Sequence, residues 1–184
     1  MNFRFQIALS EHDYLQFNIF HTIRSPYGAK IIRSYRISNA VIYIALIFLA
    51  LSREGFTTVG LIQTGFLLIL LVIFQLLAKR FLRASTKSTL KRLKKAGKLA
   101  FSPFSTMEFL ENSFIEESED SRTETKYSSI ERISVVEGQY VFLHLDSLRG
   151  YILPVSCFES HEQHERFLSF MSSLGIPIDH YKSI

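Results

Sequence analysis

Phe3, Phe5, Ile7 and Leu9 alternate with Arg4, Gln6 and Ala8, the two-residue period of a strand with one buried face. Ser10 with Asp13 three residues on is a variant of the capping box, and it opens a predicted amphipathic helix through Tyr14, Phe17 and His21, flanked by Leu15 and Ile19. Ser25-Pro26-Tyr27-Gly28 breaks that helix. The pattern then changes character. Ile37–Ser52 and Val59–Ala78 are apolar on every side, and the second carries no charge over roughly 20 residues, the length a helix needs to cross a hydrocarbon core of about 30 Å. In water such a segment would be a buried helix, and the rest of the chain is too small to wrap one. The first stretch, of about 16 residues, lies at the low end of the spanning range, and a buried or re-entrant helix is its rival. A helical hairpin turning at Arg53–Thr58 accounts for both.

Basic residues mark the two ends of this pair. Lys30, Arg33 and Arg36 precede it, Lys79, Arg80, Arg83, Lys87, Lys91, Arg92, Lys94, Lys95 and Lys98 follow it, and only Arg53 lies between. Lys and Arg stay on the cytoplasmic side, so a multi-pass protein of the cell membrane with both termini cytoplasmic is expected. No cleavable signal peptide is expected either, since the first apolar run starts near Ile37. The second helix should continue as a basic stalk, with Arg80, Arg83, Lys87, Lys91, Lys94 and Lys98 in one stripe, until Gly97 and Pro103 end it.

Beyond the stalk the periods are those of strands. Met107–Glu111 and Phe114–Glu117 are short candidates, the acidic Glu117–Glu124 is expected as a solvated loop, and Lys126–Ser128 as the start of another strand. Ile130–Val136 and Tyr140–Leu145 form a hairpin through Glu137-Gly138-Gln139, with Val141, Leu143 and Leu145 on the apolar face. Tyr151–Val155 follows. Ser160 and Gln163 cap a last helix whose face is His164, Phe167, Leu168, Met171 and Leu174, stopped by Gly175 and Pro177. Antiparallel strands closed by a C-terminal helix make an α+β domain, and the N-terminal strand is expected to pair with its sheet. The predicted division is 1–36, a cytosolic strand and amphipathic helix; 37–78, the transmembrane hairpin; 79–103, the basic linker; and 104–184, the cytosolic α+β domain.

Charge sharpens this picture. The 184 residues carry a net +4, but up to Lys98 there are fifteen Lys and Arg against three acids, and from Leu99 six against fourteen. The overall charge is therefore no nucleic-acid signal. One cysteine, Cys157, excludes an intrachain disulfide and a cysteine zinc site.

The opening ALSEHDYLQFNIFHTIRSPYG, the two apolar spans and the tail TKYSSIERISVVEGQYVFLHLDSLRGYILPVSCFESHEQHERFLSFM resemble the YcxB-like membrane proteins of bacteria. The resemblance implies a carboxy-terminal domain similar to small pleckstrin-homology-like sheets capped by a helix, and it is nearly silent about chemistry. In typical members a basic residue follows the proline of the "-YILPVSCF-" segment. Here Pro154 is followed by Val155.

Few residues suggest chemistry. His161 and His164 stand near Glu162 and Glu165, but three apart, where the zincin pattern needs four, and His180 is near in sequence; solvated or half-buried helix residues are expected, and no metal or cofactor. Cys157 would be a nucleophile only beside a histidine, and a small buried residue at a strand end is the plainer reading. Glu11 and Asp13 are expected as first-turn acids favoured by the helix dipole. Gln63, Thr64 and Gln75 are the polar residues of the second span, suited to holding two helices together or to a dimer contact. The basic stalk suits topology or anionic lipid, and the acidic Glu116–Glu124 could compete with lipid for it. No catalytic constellation is visible. The expected function is a non-enzymatic, membrane-anchored cytosolic module that meets the bilayer, a protein partner or a second copy, the alternative being an accessory subunit of a membrane enzyme or transporter. A cleft in the sheet lined by converging polar groups would revive an enzyme or ligand site.

Overall fold

Phe3, Phe5 and Ile7 are buried and Arg4, Gln6 and Ala8 exposed along β1 (Phe3–Ala8), as the alternation requires. The computed structural model describes residues 3–97, 102–146 and 149–184. They fall into two compact units, Met1–Asn18 with Leu93–Ile184, and Ile19–Arg92.

In the first unit β1 runs antiparallel to β2 (Phe104–Phe109), with Phe5 opposite Met107 and Ile7 opposite Ser105. β3 (Ser113–Ser118) and β4 (Arg122–Lys126) complete a four-stranded antiparallel sheet in the order β1-β2-β3-β4. A second sheet has the order β7-β6-β5-β8, from β5 (Arg132–Val136), β6 (Tyr140–His144), β7 (Gly150–Pro154) and β8 (Ile178–Tyr181). Between β7 and β8 comes the helix α4 (His161–Ser173), whose Phe167, Leu168 and Met171 are buried. Its cap is a Ser160 hydroxyl accepting the Gln163 N–H at 3.1 Å, while Gln163 Oε1 accepts from Glu159 rather than from Ser160.

An aromatic cluster joins these elements. The Phe5 ring lies 5.7 Å from Phe109, 4.8 Å from Phe158 and 5.3 Å from Phe167, and Met107, Phe114, Leu143 and Leu153 complete the same core.

Several expectations are corrected. There are two sheets, not one, and α4 is not the closing element: β8 returns parallel to β5 with Ile178 opposite Ile133. The early strands sit nearer the N-terminus than expected, since the turn is made at Leu110, whose N–H meets the Ser113 carbonyl at 2.8 Å. The acidic Glu117–Glu124 is no loop; most of it lies in β3 and β4, where Glu117 pairs with Arg122. Tyr127–Ser129 is a 3-10 turn rather than a strand opening. β6 is buried on both faces. Phe17 of the helix α1 (Glu11–Ile23) covers the other face, 5.2 Å from Phe142 and 6.1 Å from His144, and His144 is bonded to Ser134 at 3.1 Å. Leu174 is exposed, past the end of α4.

The second unit is a pair of antiparallel helices, α2 (Pro26–Glu54) and α3 (Thr58–Lys95). Ser25 caps α2 by accepting the Gly28 N–H at 3.0 Å, and Pro26 suits the first helical position, where no amide partner is needed. α2 thus begins well before Ile37 and carries Lys30, Arg33 and Arg36 on the same helix as the apolar run. Gly55, with φ of 60°, makes the turn into α3. A Cβ at Gly28 would stand 2.6 Å from the Thr22 carbonyl, so the corner between α1 and α2 needs a residue without one.

Both helices are long and apolar enough to cross a membrane, and in their most apolar stretches 0% of α2 and 6% of α3 is buried. Phe48, Ile62 and Leu76 are 73%, 67% and 74% exposed. A soluble core helix would bury these side chains; a contiguous exposed apolar band of this extent marks a surface made for another apolar phase.

Candidate functional site

The inward side chains of the first sheet follow from its register. Phe5, Met107 and Glu116 stand in one row, because Phe5 faces Met107 and Met107 faces Glu116. Glu116 shares its strand face with Phe114, two residues before it, and so points between the sheets rather than outward. Ile7 and Ser105 form the next row. From the second sheet come Tyr151 and Ile152, and from α1 Tyr14. Together they line a cleft of about 450 Å³, open on one side and continuous through Tyr14, Gly150 and Tyr151 with a second space of about 730 Å³.

This cleft is polar at its centre. Burial pushes the Glu116 carboxyl above its ordinary pKa, and a hydrogen bond from Ser105 works against that rise. The Tyr151 hydroxyl lies 3.2 Å from Thr125 Oγ1. Its pKa is raised, first by burial, with the Thr125 bond lowering it and the charge of Glu116 raising it. Gly150 sets the wall: a Cβ there would stand 2.6 Å from the Leu143 carbonyl and 3.0 Å from the Phe17 ring. The sequence assigns Glu116 both to the strand candidate Phe114–Glu117 and to the acidic stretch Glu116–Glu124, without giving it an inward direction. The signal that finds it is the two-residue period from Phe114.

Opposite this cleft in sequence, Asp13 ties α1 to the second sheet. Its carboxylate accepts from the Ser10 amide at 2.8 Å, completing the capping box, and from the Tyr140 hydroxyl at 2.6 Å. Burial raises the Asp13 pKa, but the bonds from Ser10 and Tyr140 outweigh it and the net value is lowered. A depressed carboxyl adds stability above its unfolded pKa, near 3.9, and loses it as pH falls through the lower folded value. Tyr140→Phe is expected to cost about 1 kcal/mol at neutral pH. In urea titrations that difference from wild type should shrink below about pH 4; a difference independent of pH would contradict it.

The remaining candidates divide. Gln75 does hold the hairpin, donating from Nε2 to the Arg36 carbonyl at 2.9 Å, near the Tyr43–Phe74 ring contact at 5.8 Å. Gln63 is exposed, and the Thr64 hydroxyl is buried without a hydrogen-bond partner among the described residues. Lys79, Arg80, Arg83, Lys87, Lys91 and Arg92 are exposed along α3. Lys94 pairs with Glu11 at 2.7 Å, both side chains more than half exposed, and such a pair contributes little. Lys95 ends α3, and Lys98 lies outside the described residues.

On α4, His164 is tucked against Phe158 at 4.9 Å with its Nδ1 3.3 Å from Glu165, while His161 is exposed and 3.8 Å from the same oxygen. Donor atoms of His161, His164 and Glu165 lie within 4.8 Å of one another, so these three could hold an ion. The positive end of the helix dipole opposes a cation there. His180 is exposed on β8. Cys157 is half-buried in a 3-10 turn, and burial pushes its thiol up to about 12, the reverse of what a nucleophile needs. Val155, half-buried, donates its N–H to the Gln139 carbonyl at 2.9 Å.

These features define a two-sheet α+β domain carried on a chain with two membrane-length apolar helices. Residues 109–171 match the family model described as YcxB-like protein, so over this stretch the C-terminal part is similar to that family. The match starts at the last residue of β2 and ends inside α4, and it leaves out β1, β8 and the apolar helices. No curated protein and no solved structure matches the chain.

Proposed function

We propose that this protein is a two-span protein of the bacterial cytoplasmic membrane that holds a pleckstrin-homology-like domain at the cytoplasmic face as a non-enzymatic interaction module, for a protein partner or a second copy. The observation that carries it is the exposed, uncharged apolar band on α2 and α3, with cations concentrated at one end. Lys30, Arg33 and Arg36 at the start of α2 and the cations from Lys79 at the end of α3 belong to the same end of the antiparallel pair, and Arg53 alone stands at the turn. That asymmetry favours cytoplasmic termini. Each cation beside an anionic leaflet contributes on the order of 1 kcal/mol, so the basic end of α3 also suits anionic lipid. Two sheets and a packed helix support the pleckstrin-homology-like description.

Topology is testable with single cysteines in a Cys157→Ser background. Phe56→Cys, at the turn, should react with a membrane-impermeant maleimide in intact spheroplasts, and Ser102→Cys only after lysis. The reverse pattern overturns the orientation, and equal labelling of both in intact spheroplasts overturns the spanning hairpin.

A further inference from the structure

The open space between the sheets holds a carboxylate, Glu116, with no cation among the described residues that line it. Among the described residues no ion pair involves Glu116, and the residues lining its cleft include no Lys, Arg or His. The adjoining space carries two cations, Lys126 and Arg149, and Arg149 is 76% exposed and bonds Asp146 at 2.8 Å through Nε. An inward carboxylate held by one hydroxyl, that of Ser105, and by no cation is costly, because burial removes its hydration. An apolar side chain at position 116 would continue the row begun by Phe5 and Met107 at less cost. Yet the sheet keeps an acid there, at the floor of a cleft of about 450 Å³, within the range of small-molecule sites.

The surroundings specify what would fit. Met107, Ile7 and Ile152 are buried behind the carboxylate, and the partly exposed apolar surface of the cleft comes from Leu9 and the rings of Tyr14 and Tyr151. Tyr14 and Tyr151 line the same space, and aromatic rings attract ammonium groups through the negative face of the π system. The hydroxyls of Ser105 and Tyr151 accept hydrogen bonds from an N–H donor. Within the cleft itself an anion would meet Glu116, the one charged side chain among the described lining residues, and be repelled; Lys126 and Arg149 belong to the adjoining space. A bare metal ion would find one carboxylate and hydroxyls, too few charged oxygens for a hard cation.

We propose that the cleft between the two sheets binds a small organic cation, an alkylammonium whose charge meets Glu116 and whose carbons lie against Leu9, Tyr14 and Tyr151. This site is built wholly within the sheet domain and does not depend on the direction in which the hairpin crosses the bilayer, which the cysteine labelling tests separately. It assigns the domain a ligand class beyond its role as a protein-interaction module.

The test uses the full chain in non-ionic detergent and three probes of matched size, n-butylammonium, butan-1-ol and butyrate, at constant ionic strength. Saturation-transfer NMR with protein-free micelles as the blank should show n-butylammonium binding at least tenfold more tightly than the alcohol, with no binding of butyrate. Glu116→Gln, which keeps shape and removes charge, should weaken n-butylammonium at least tenfold while the circular dichroism spectrum and the alcohol signal are unchanged. The wild-type comparison of three probes decides the matter even where the variant fails to fold. Equal binding of n-butylammonium and butan-1-ol, unchanged affinity in Glu116→Gln, or a response reproduced by sodium chloride alone overturns the proposal and leaves a hydrated carboxylate only.

Discussion

Phe5→Ala will destabilise the sheet domain by about 3–5 kcal/mol, the range for emptying a fully buried aromatic site. Phe5 is 1% exposed and packs against Phe3 on its own strand and against rings on β2, on the segment after β7 and on α4. Its loss therefore opens a cavity that several elements share and that none can close by itself. Tyrosine fluorescence in urea, or hydrogen exchange of the sheet amides, would measure it; a change below 1 kcal/mol would contradict the shared core. The stronger form concerns the whole strand. A fragment of residues 104–184 leaves β2 with a bare edge and removes Phe3, which packs 5.5 Å from Phe167. That fragment is expected to lack a cooperative transition, even though it contains the entire YcxB-like match. Cooperative folding of 104–184 alone would show that β1 is dispensable.

Ile69→Arg separates the bilayer from water as the medium around α3. Ile69 is 59% exposed and stands near the middle of the uncharged run. On a surface facing water, such a change alters stability by no more than about 0.5 kcal/mol. At the centre of a spanning helix an arginine costs about 3–4 kcal/mol relative to isoleucine on the insertion scale, roughly a hundredfold or more in the inserted fraction. The expected result is loss of membrane-integrated protein on carbonate extraction, with Arg53→Lys as the unaffected control. Normal membrane yield of Ile69→Arg would place α3 outside the hydrocarbon core.

Much of this architecture was legible in local pattern. The alternation from Phe3 specified a one-sided strand, Ser10 with Asp13 specified a helix start that the structure closes in both directions, and Gly138 and Gly175 stand with positive φ at the predicted turn and stop. The candidate site was less legible. Glu116 sits in a run of acids whose composition suggests solvent, and composition outweighed the period that assigns it to the inner face. β8 escaped notice because four residues after Pro177 carry too little pattern to show a strand whose partner is β5.

The sequence by itself determined which segments are long and uncharged enough to cross a membrane, since length and absence of charge act on each helix separately, and it located several turns and helix starts, since turn and capping chemistry is local. Only the tertiary structure decided that β1 joins β2, that Phe17 covers the second face of β6, and that Glu116 looks into a cleft. Those outcomes depend on which distant segment supplies the other surface, and neither a period nor a composition carries that information.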